Sequence, residues 1–371
     1  MIKNALLLLL LGMIYLKSQA QKPEEQIRWS KAGELPAINA QTPNIGVAGA
    51  FAGVHTNVLL VAGGANFPDK MPWEGGSKVY ANSIFVFNKT NGKLAPVLSS
   101  TKLPKALAYG ASVSTPEGIV CVGGENEVGA QSSVFLLKWN SKNQQVELQT
   151  LPALPLPLSN MLIATKNEKI YVAGGESAGK TVASFLSLDF NNLEKGWQHL
   201  PAVPIPVSHA AGGMQSNGEG DSFFLLGGRC KNPDGISTFY SDCFAFDLKK
   251  NTWKKLNPIQ INRQPIGLSA ATGVAVGATY LLVISGDNGQ TFTQVEQFNK
   301  AIAEAKTEAE KRILQAQKTT LLGNHPGFTK DVLLYNTITD QWHLLDKIPT
   351  TGQVTTTAVK WGNEIYIPSG E

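Results

Sequence analysis

The hydrophobic and polar positions of this chain repeat in short units. In the clearest copy, residues 46–87, an apolar strand rich in Gly and Ala leads into a polar turn at residues 55–57 and a second apolar strand at residues 58–62. That strand stops at Gly63 and Gly64, and a polar loop and a third strand at residues 83–87 follow. Short apolar runs bounded by Gly, Asn and Ser are typical of β-strands and turns. The unit is therefore predicted to be a group of short strands.

The diglycine that ends the second strand recurs along the chain. Its later copies, two of which carry serine in place of the first glycine, begin at Gly123, Gly174, Gly227, Ser285 and Ser369. Successive copies are 60, 51, 53, 58 and 84 residues apart. A period of about 50 residues with a diglycine closing one strand is the kelch signature, in which each repeat is a four-stranded propeller blade. The six copies predict an all-β fold, a six-bladed kelch-type β-propeller.

Within each unit the strands have distinct compositions. Small residues dominate the first strand and bulky ones the third and fourth, the fourth starting with Trp in several units. Small side chains suit the crowded wall of a central channel, and large ones fill the space between blades. The inner strands are predicted at residues 46–52, 109–114, 160–165, 209–215, 269–276 and 354–359.

The last unit is incomplete, and the start of the chain is predicted to complete it. Strands at residues 354–359 and 365–368 precede the end of the sequence, whereas Trp29 has the character of an outer strand without a blade before it. We expect residues 21–371 to form one propeller closed by pairing of its two terminal segments. Either the natural chain continues past Glu371 or the last blade is irregular, and the cost of an open sheet edge favours continuation.

One segment departs from the strand pattern. Residues 292–317 place Phe292, Val295, Phe298 and Ile302 at helical spacing, with Lys and Glu on the other face. A helical insertion at residues 290–326 is therefore predicted between the second and third strands of the fifth blade. We expect it to pack as a helical hairpin on the rim, and a lid over the channel mouth is the alternative.

The first twenty residues predict a cleaved signal peptide. Lys3 is followed by an apolar run at residues 5–15, which is short for a membrane span, and then by a small-residue cleavage site ending at Ala20. The mature chain would begin at Gln21, and an uncleaved anchor is the alternative.

The charge balance argues against two classes of partner. Removal of Lys3 and Lys17 lowers the formal net charge from +4 to +2. So small a charge indicates neither nucleic acid nor, after signal cleavage, a membrane as a partner. Only 16% of residues are charged and 36 are Gly, as expected for many short strands and turns.

The three cysteines do not indicate a metal site. Cys121 lies in a predicted buried strand and is expected to be an inert, packed thiol. Cys230 and Cys243 flank a loop within one unit and could pair in an exported protein, which the sequence alone does not decide. No cluster of Cys and His has zinc-site spacing.

The sequence resembles a known family in its most specific stretch. GVAGAFAG followed by VLLVAGGANFP, then AYGASV and VCVGGE, is similar to the N-acetylneuraminate epimerases, or sialic acid mutarotases. The resemblance implies a six-bladed kelch propeller of the bacterial periplasm. The order of the motifs is shifted, since this stretch belongs to a later blade in ordinary members, which suggests a circularly permuted branch.

The resemblance also implies a general base. In the family a glutamate directly follows the glycine that ends a second strand, and Glu371 after Ser369 and Gly370 matches that place. The family's arginine, a few residues further on, falls beyond the end of this sequence. The implied reaction opens the sugar ring by removing the anomeric hydroxyl proton, and it requires no metal, nucleotide or other cofactor.

Other polar residues are predicted to converge with it, because all second strands end on one face of the ring. Arg229 could hold a substrate carboxylate through two parallel hydrogen bonds. A polar residue after a diglycine could instead only satisfy turn amides, and the carboxylates of Glu125 and Glu176 could suggest glycoside hydrolysis. The predicted substrate-binding residues are Asn66, Tyr109, Glu125, Glu176, His209 and Arg229, and Asn160 and Asp287 occupy similar positions.

With the resemblance, these residues predict an exported sugar mutarotase that interconverts the α and β anomers of N-acetylneuraminate (sialic acid) or of a close relative. The alternative is a non-catalytic kelch module that binds a glycan or a protein on the same face. A kelch copper oxidase would need a convergent Tyr and His set, which the five histidines do not indicate. The oligomeric state stays open.

Overall fold

The computed structural model describes residues 27–37 and 42–370. The predicted signal peptide and Glu371 lie outside the described residues.

The described chain contains five four-stranded antiparallel sheets, and they form a β-propeller. Each is a blade whose strands follow one another from the ring axis outwards. Blade 1 contains Phe51–His55, Val58–Ala62, Ile84–Thr90 and Lys93–Val97; blade 2, Ala111–Thr115, Gly118–Val122, Val134–Asn140 and Gln145–Thr150; blade 3, Leu162–Lys166, Lys169–Ala173, Phe185–Asp189 and Gln198–His199; blade 4, Ala211–Ser216, Asp221–Leu226, Cys243–Asp247 and Thr252–Leu256; blade 5, Thr272–Val276, Tyr280–Ile284, Asp331–Asn336 and Gln341–Lys347.

Short hairpins extend from these sheets. In blades 1 to 4 a two-stranded hairpin follows the diglycine, and we call the end of the ring where these hairpins lie the mouth. Their strands are Ala65–Asn66 with Val79–Tyr80, Glu125–Asn126 with Gly129–Ala130, Glu176–Ser177 with Lys180–Thr181, and Arg229–Lys231 with Ser237–Phe239. Two further hairpins pair Gln260–Ile261 with Gln264–Pro265, and Val359–Trp361 with Glu364–Tyr366.

The inner strands begin two to five residues later than the sequence predicts. The first was predicted from residue 46 but runs over Phe51–His55. The residues before each inner strand instead form a turn with one residue in the left-handed region, such as Gly49 at φ 62° and Tyr109 at φ 57°. Alternation of small residues did not distinguish this turn from the strand that follows it.

These left-handed residues form a closed ring of backbone hydrogen bonds. The N–H of each donates to the C=O of the previous member, at N···O distances of 2.6 to 3.2 Å, and the first donates to the last. A non-glycine residue in this region is strained, so tertiary hydrogen bonding stabilises the conformation. The members are Gly49, Tyr109, Asn160, His209, Ala270 and Thr355.

The diglycines join neighbouring blades, which explains their recurrence. The N–H of Gly64 donates to the C=O of Leu107 in the next blade at 2.8 Å, and Gly175 bonds Val207 in the same way. A Cβ on the preceding residue, Gly63, would lie 2.3 Å from that Leu107 oxygen. Both glycines also have positive φ. Glycine is therefore required for close approach of the next blade as well as for the turn.

The hydrophobic core lies between blades. Blades 1 and 2 share a cluster that includes Phe51 and Phe135, whose rings meet edge to face at 5.6 Å. Blades 3 and 4 share a cluster around Phe185, which is 1% exposed and contacts Phe223, Phe246 and Trp253. Burial of such rings removes large apolar surfaces from water and stabilises the packing of neighbouring blades.

The gap between blades 5 and 1 is filled by both ends of the described chain. Trp29 packs against the blade 5 cluster, and its indole N–H donates to Asp346 Oδ2 at 3.0 Å. The outer tryptophans Trp197 and Trp253 likewise donate to a carbonyl of the preceding blade. The hairpin of Val359–Trp361 and Glu364–Tyr366 packs beside blade 1.

Two helices lie within blade 5, between its second and third strands. Helix α1 is Gln290–Glu304 and helix α2 is Glu308–Gly323, and the Thr307 side chain caps α2 by accepting from Glu310 N. Short 3₁₀ turns occur at Pro72–Glu74 and Phe190–Lys195. Among the described residues, neither helix has the length and apolar content needed to cross a membrane.

The three cysteines are unpaired in the described structure. Cys121 is fully buried in Gly118–Val122, which confirms the predicted packed thiol. Cys230 is half-buried and Cys243 fully buried. The possible Cys230–Cys243 disulfide is therefore not formed.

Candidate functional site

Backbone pairing brings the predicted mouth residues together. In blades 2 to 5 the residue after the diglycine, or after Gly286 in blade 5, pairs by a β-bridge with the residue that precedes the left-handed ring position. Ser159 thus pairs with Glu176, and Ser208 pairs with Arg229. Each charged side chain therefore begins beside the axis and can reach the first residues of the next blade.

Glu125 connects blades 1, 2 and 3. Its Oε1 accepts from the Tyr80 hydroxyl at 3.0 Å, and its Oε2 accepts from Ser159 Oγ at 3.2 Å. Lys78 Nζ lies 3.9 Å from Oε1 and 4.6 Å from the centroid of the Tyr109 ring. Burial raises the pKa of Tyr80 to about 12, with the charge and hydrogen bond of Glu125 acting in the same direction. Tyr80 is therefore a protonated donor at neutral pH.

Glu176 is the centre of a second cluster, formed by blades 3 and 4. Its Oε1 accepts from Ser208 Oγ at 2.9 Å and from Arg229 Nη2 at 3.3 Å, and its Oε2 accepts from Asn160 Nδ2 at 3.3 Å. Arg229 Nε is 3.4 Å from His209 Nδ1, at the long limit of a hydrogen bond. One carboxylate, one guanidinium and one imidazole are therefore packed as a unit.

His209 is held in its neutral form. Burial lowers its pKa, the Arg229 charge lowers it further, and Glu176 only partly opposes them, so that the pKa is about 3. With Arg229 Nε donating to Nδ1, the remaining proton of the neutral ring is on Nε2. His209 is then a hydrogen-bond donor and not a cation at pH 7.

Glu176 stays ionised. Burial raises its pKa, but charge on His209 and Arg229 and the hydrogen bonds from Ser208 and Asn160 lower it by more. Because His209 is neutral at pH 7, Arg229 and the two hydrogen bonds carry this effect there. The net result is a pKa below the usual value of a glutamate.

The pattern changes in blade 5. Burial raises the pKa of Asp287, opposed by a hydrogen bond from Gly289 N and by the charges of His325 and Arg229. Ser269 occupies the place that Ser159 and Ser208 occupy in blades 3 and 4, and its buried hydroxyl has no hydrogen-bond partner within the described ranges. The residue of the preceding blade is Arg229 here, where blades 2 and 3 present glutamates, and its guanidinium is directed to Glu176 and Phe292 instead.

Helix α1 packs on this end of the ring. Phe292 lies 4.6 Å below the Arg229 guanidinium carbon and contacts Phe239 at 5.5 Å. Glu296 accepts from the N–H and hydroxyl of Ser237, both at 2.7 Å. Helix α2 contacts the turn Pro72–Glu74 of blade 1. The helical pair thus extends from blade 4 to blade 1 along the mouth.

A cavity of about 520 Å³ lies between α1 and the blade 4 hairpin. It is lined by Phe239 and by polar, uncharged residues that include Gln290, Gln294 and Gln297. In the described part of the chain, no group of three or more His, Cys, Asp and Glu side chains is placed to hold a metal ion.

The structure brings most of the predicted residues together. Tyr109, Glu125, Glu176, His209 and Arg229 form the two neighbouring clusters. Asn66 lies apart, since its side chain donates to the backbone C=O of Gly46 at 2.8 Å. Glu371 is outside the described residues.

Sequence reasoning missed four residues that complete the clusters: Lys78, Tyr80, Ser159 and Ser208. The two serines had a signal, because each directly precedes a predicted inner-strand residue in Ser159-Asn160 and Ser208-His209. Lys78 and Tyr80 lie in a loop whose path only the folded chain defines.

The chain matches one protein family along most of its length. The family model for N-acetylneuraminate epimerase aligns with residues 16–146 and 151–371. An N-acetylneuraminate epimerase of Brucella suis is 40% identical over 129 residues, which is 32% of this chain and 32% of that protein. One of Salmonella typhimurium is 27% identical over 223 residues, which is 60% of this chain and 55% of that protein. The chain therefore spans about a third to just over half of the length of these curated relatives.

Proposed function

The chain belongs to the N-acetylneuraminate epimerase family, and from that premise we propose that it is a mutarotase that interconverts the α and β anomers of N-acetylneuraminate. The observation that carries the proposal is the mouth itself. Carboxylates, cations and neutral donors from blades 1 to 4 meet there within hydrogen-bonding or ion-pair distance of one another. An acidic sugar offers the hydroxyls and carboxylate that such a set recognises.

Ring opening needs one base and nearby donors. Glu371 is the proposed base, since it follows Gly370 as Glu125 follows Gly124. A Cβ on Gly370 would lie 2.9 Å from Val354 O, and one on Gly124 would lie 2.9 Å from Ala108 O. This equivalence supports an approach of residue 371 to the mouth. A carboxylate there would take the anomeric proton and return it to the ring oxygen.

The other mouth residues bind and orient the sugar in this proposal. Neutral His209 donates from Nε2, and Glu125 and Glu176 accept from sugar hydroxyls once a ligand displaces part of their present contacts. Tyr109 lines the blade 1 side beside Lys78. No step uses a metal or an organic cofactor.

We further infer that the ring is a six-bladed kelch-type propeller. The six left-handed ring residues, one for each diglycine-like site, support a sixth blade position between blades 5 and 1. The hairpin of Val359–Trp361 and Glu364–Tyr366, together with Trp29, occupies that position. The predicted signal peptide would place the enzyme in the periplasm.

The test of the activity is proton NMR of N-acetylneuraminate released as the α anomer by a sialidase. We expect the protein to accelerate appearance of the β anomer, and Glu371→Gln to lower the accelerated rate by about 100-fold or more. Glu147→Gln, at an exposed position of blade 2, is the matched control and should retain full rate.

An unchanged anomer rate with the wild-type protein would refute the mutarotase. Saturable sugar binding without acceleration would instead indicate a non-catalytic binding module. Acceleration that survives in Glu371→Gln would place the base elsewhere in the mouth.

A further inference from the structure

The two clusters at the mouth each contain one cation, Lys78 beside Glu125 and Arg229 beside Glu176, and the two are held differently. Arg229 is fixed on three sides: Glu176 at 3.3 Å, His209 at 3.4 Å, and the Phe292 ring at 4.6 Å. Its side chain is 17% exposed. A guanidinium in this setting is part of the internal structure of the site.

Lys78 is held by weaker contacts. Its ion pair with Glu125 is 3.9 Å long, which exceeds hydrogen-bond length, and its side chain is 34% exposed. Its ammonium also lies over the Tyr109 ring, at 4.6 Å. An ammonium has three donors on a flexible four-carbon stem, so Lys78 can turn toward a ligand without leaving the mouth.

Turning Arg229 toward a ligand would leave more groups unpaired than turning Lys78. If Arg229 turned to a ligand, buried Glu176 would lose a charged partner and His209 Nδ1 would lose its donor. If Lys78 turned, Glu125 would keep its hydrogen bonds from Tyr80 and Ser159. Leaving a buried charge unpaired is costly, so the second rearrangement is the favourable one.

We propose that Lys78 is the residue that recognises the carboxylate of the acidic sugar, with the Tyr109 ring keeping the ammonium at the mouth. This inference rests on the mutarotase function proposed above. It assigns the choice of an acidic over a neutral sugar to the blade 1 hairpin. Arg229 is then a positioning residue that keeps Glu176 ionised and His209 in its Nε2–H form.

The experiment compares N-acetylneuraminate with its neutral methyl ester in the anomer assay. For Lys78→Gln we expect kcat/KM for the acid to fall 10- to 100-fold, mainly through KM, because a charge-assisted contact is lost. The value for the ester should change less than 3-fold, and Lys78→Arg should recover part of the loss. Arg229→Gln should lower kcat/KM for both sugars to a similar extent.

The matched control is Lys89→Gln in the same blade. Lys89 also lies over aromatic rings, those of Trp361 and Tyr366, and pairs with Glu364, but it lies at the strand end opposite the mouth. Lys89→Gln should leave kcat/KM for both sugars unchanged. Equal losses for acid and ester in Lys78→Gln, or no loss for the acid, would overturn the assignment.

A binding measurement separates this inference from the proposed reaction. Saturation-transfer NMR with N-acetylneuraminate reports binding whether or not the anomers interconvert. Binding that depends on Lys78 without acceleration would refute the mutarotase and keep the assignment. Acceleration that does not depend on Lys78 would support the mutarotase and refute the assignment of Lys78. Absence of both binding and acceleration would refute both proposals.

Discussion

His209 illustrates how a single residue can couple the mouth to the stability of the fold. Its side chain is 11% exposed and lies beside a guanidinium, so the protonated form is strongly disfavoured in the folded state. In the unfolded chain the imidazole would titrate near its ordinary value of about 6.5. Folding therefore excludes a proton that the unfolded chain accepts at mildly acidic pH.

The sign of the pH dependence follows from that difference. As pH falls from about 6.5 toward 3, the unfolded state binds a proton that folded His209 does not, so the free energy of unfolding falls, by roughly 1–2 kcal/mol at pH 5. The lowered pKa of Glu176 also reduces the free energy of unfolding as pH falls below the ordinary pKa of a glutamate. Urea denaturation at pH 7.5 and pH 5 measures the change.

His209→Gln should reduce that loss, because glutamine does not titrate. His343→Gln, at an exposed position, is the matched control and should keep the wild-type slope. The same pH dependence in His209→Gln and wild type would contradict a neutral, buried His209.

Residue types at the mouth were predictable from the repeat, but their contacts were not. The positions after each diglycine identified Glu125, Glu176 and Arg229 as neighbours on one face. The pairing of Arg229 with Glu176 depends on the spacing between two adjacent blades. Asn66 occupies the second position after its diglycine and turns to the backbone.

Among the elements, helix α1 is held to blade 4 by one principal polar contact. Glu296 accepts two hydrogen bonds from Ser237, and Phe292 packs nearby against Phe239. Since no residue of α1 is fully buried, this contact should contribute much of its local stability.

Glu296→Ala should therefore loosen α1 without unfolding the blades. We expect its amide hydrogens to exchange about 10- to 100-fold faster, corresponding to loss of charge-assisted hydrogen bonds, while strand amides are unchanged. Hydrogen exchange with mass spectrometry resolves the two sets. Glu304→Ala, exposed in the same helix, is the control and should leave exchange at wild-type rates. Equal exchange in the two variants would mean that the Glu296–Ser237 contact does not hold the helix.

The helical character of this insertion was predictable from the sequence, but its division into two helices was not. Apolar spacing from Phe292 onward predicted helix. The break at residues 305–307, where Thr307 caps the second helix, lacks both Gly and Pro. Extended backbone at Ala305 ends α1, and the resulting turn lets α2 contact the Pro72–Glu74 turn.

For the molecule as a whole, closure of the ring is the feature on which stability depends. Trp29 packs on blade 5, and Leu94 N in blade 1 donates to Ala32 O at 2.9 Å. Residues 27–37 thus contact the blades on both sides of the gap. Such contacts between distant parts of a chain make unfolding cooperative.

Trp29→Ala should destabilise the propeller by about 2–3 kcal/mol, because a half-buried ring and its hydrogen bond to Asp346 are lost. Trp29→Phe should cost about 1 kcal/mol, the value of the hydrogen bond. Leu98→Ala, at a position 95% exposed, should change stability by less than about 0.5 kcal/mol. Denaturant midpoints compare the three, and a Trp29→Ala midpoint equal to that of Leu98→Ala would exclude a role in closure.

The sequence by itself determined the repeating unit, the β-propeller and the face on which polar residues gather, because diglycine spacing and strand composition are local properties. Tertiary structure decided the rest. Contacts between blades determine the left-handed conformation of the ring residues and keep His209 neutral. They also hold Arg229 more firmly than Lys78. Hydrogen bonds, burial and ion pairs between distant residues depend on distances that no local pattern encodes.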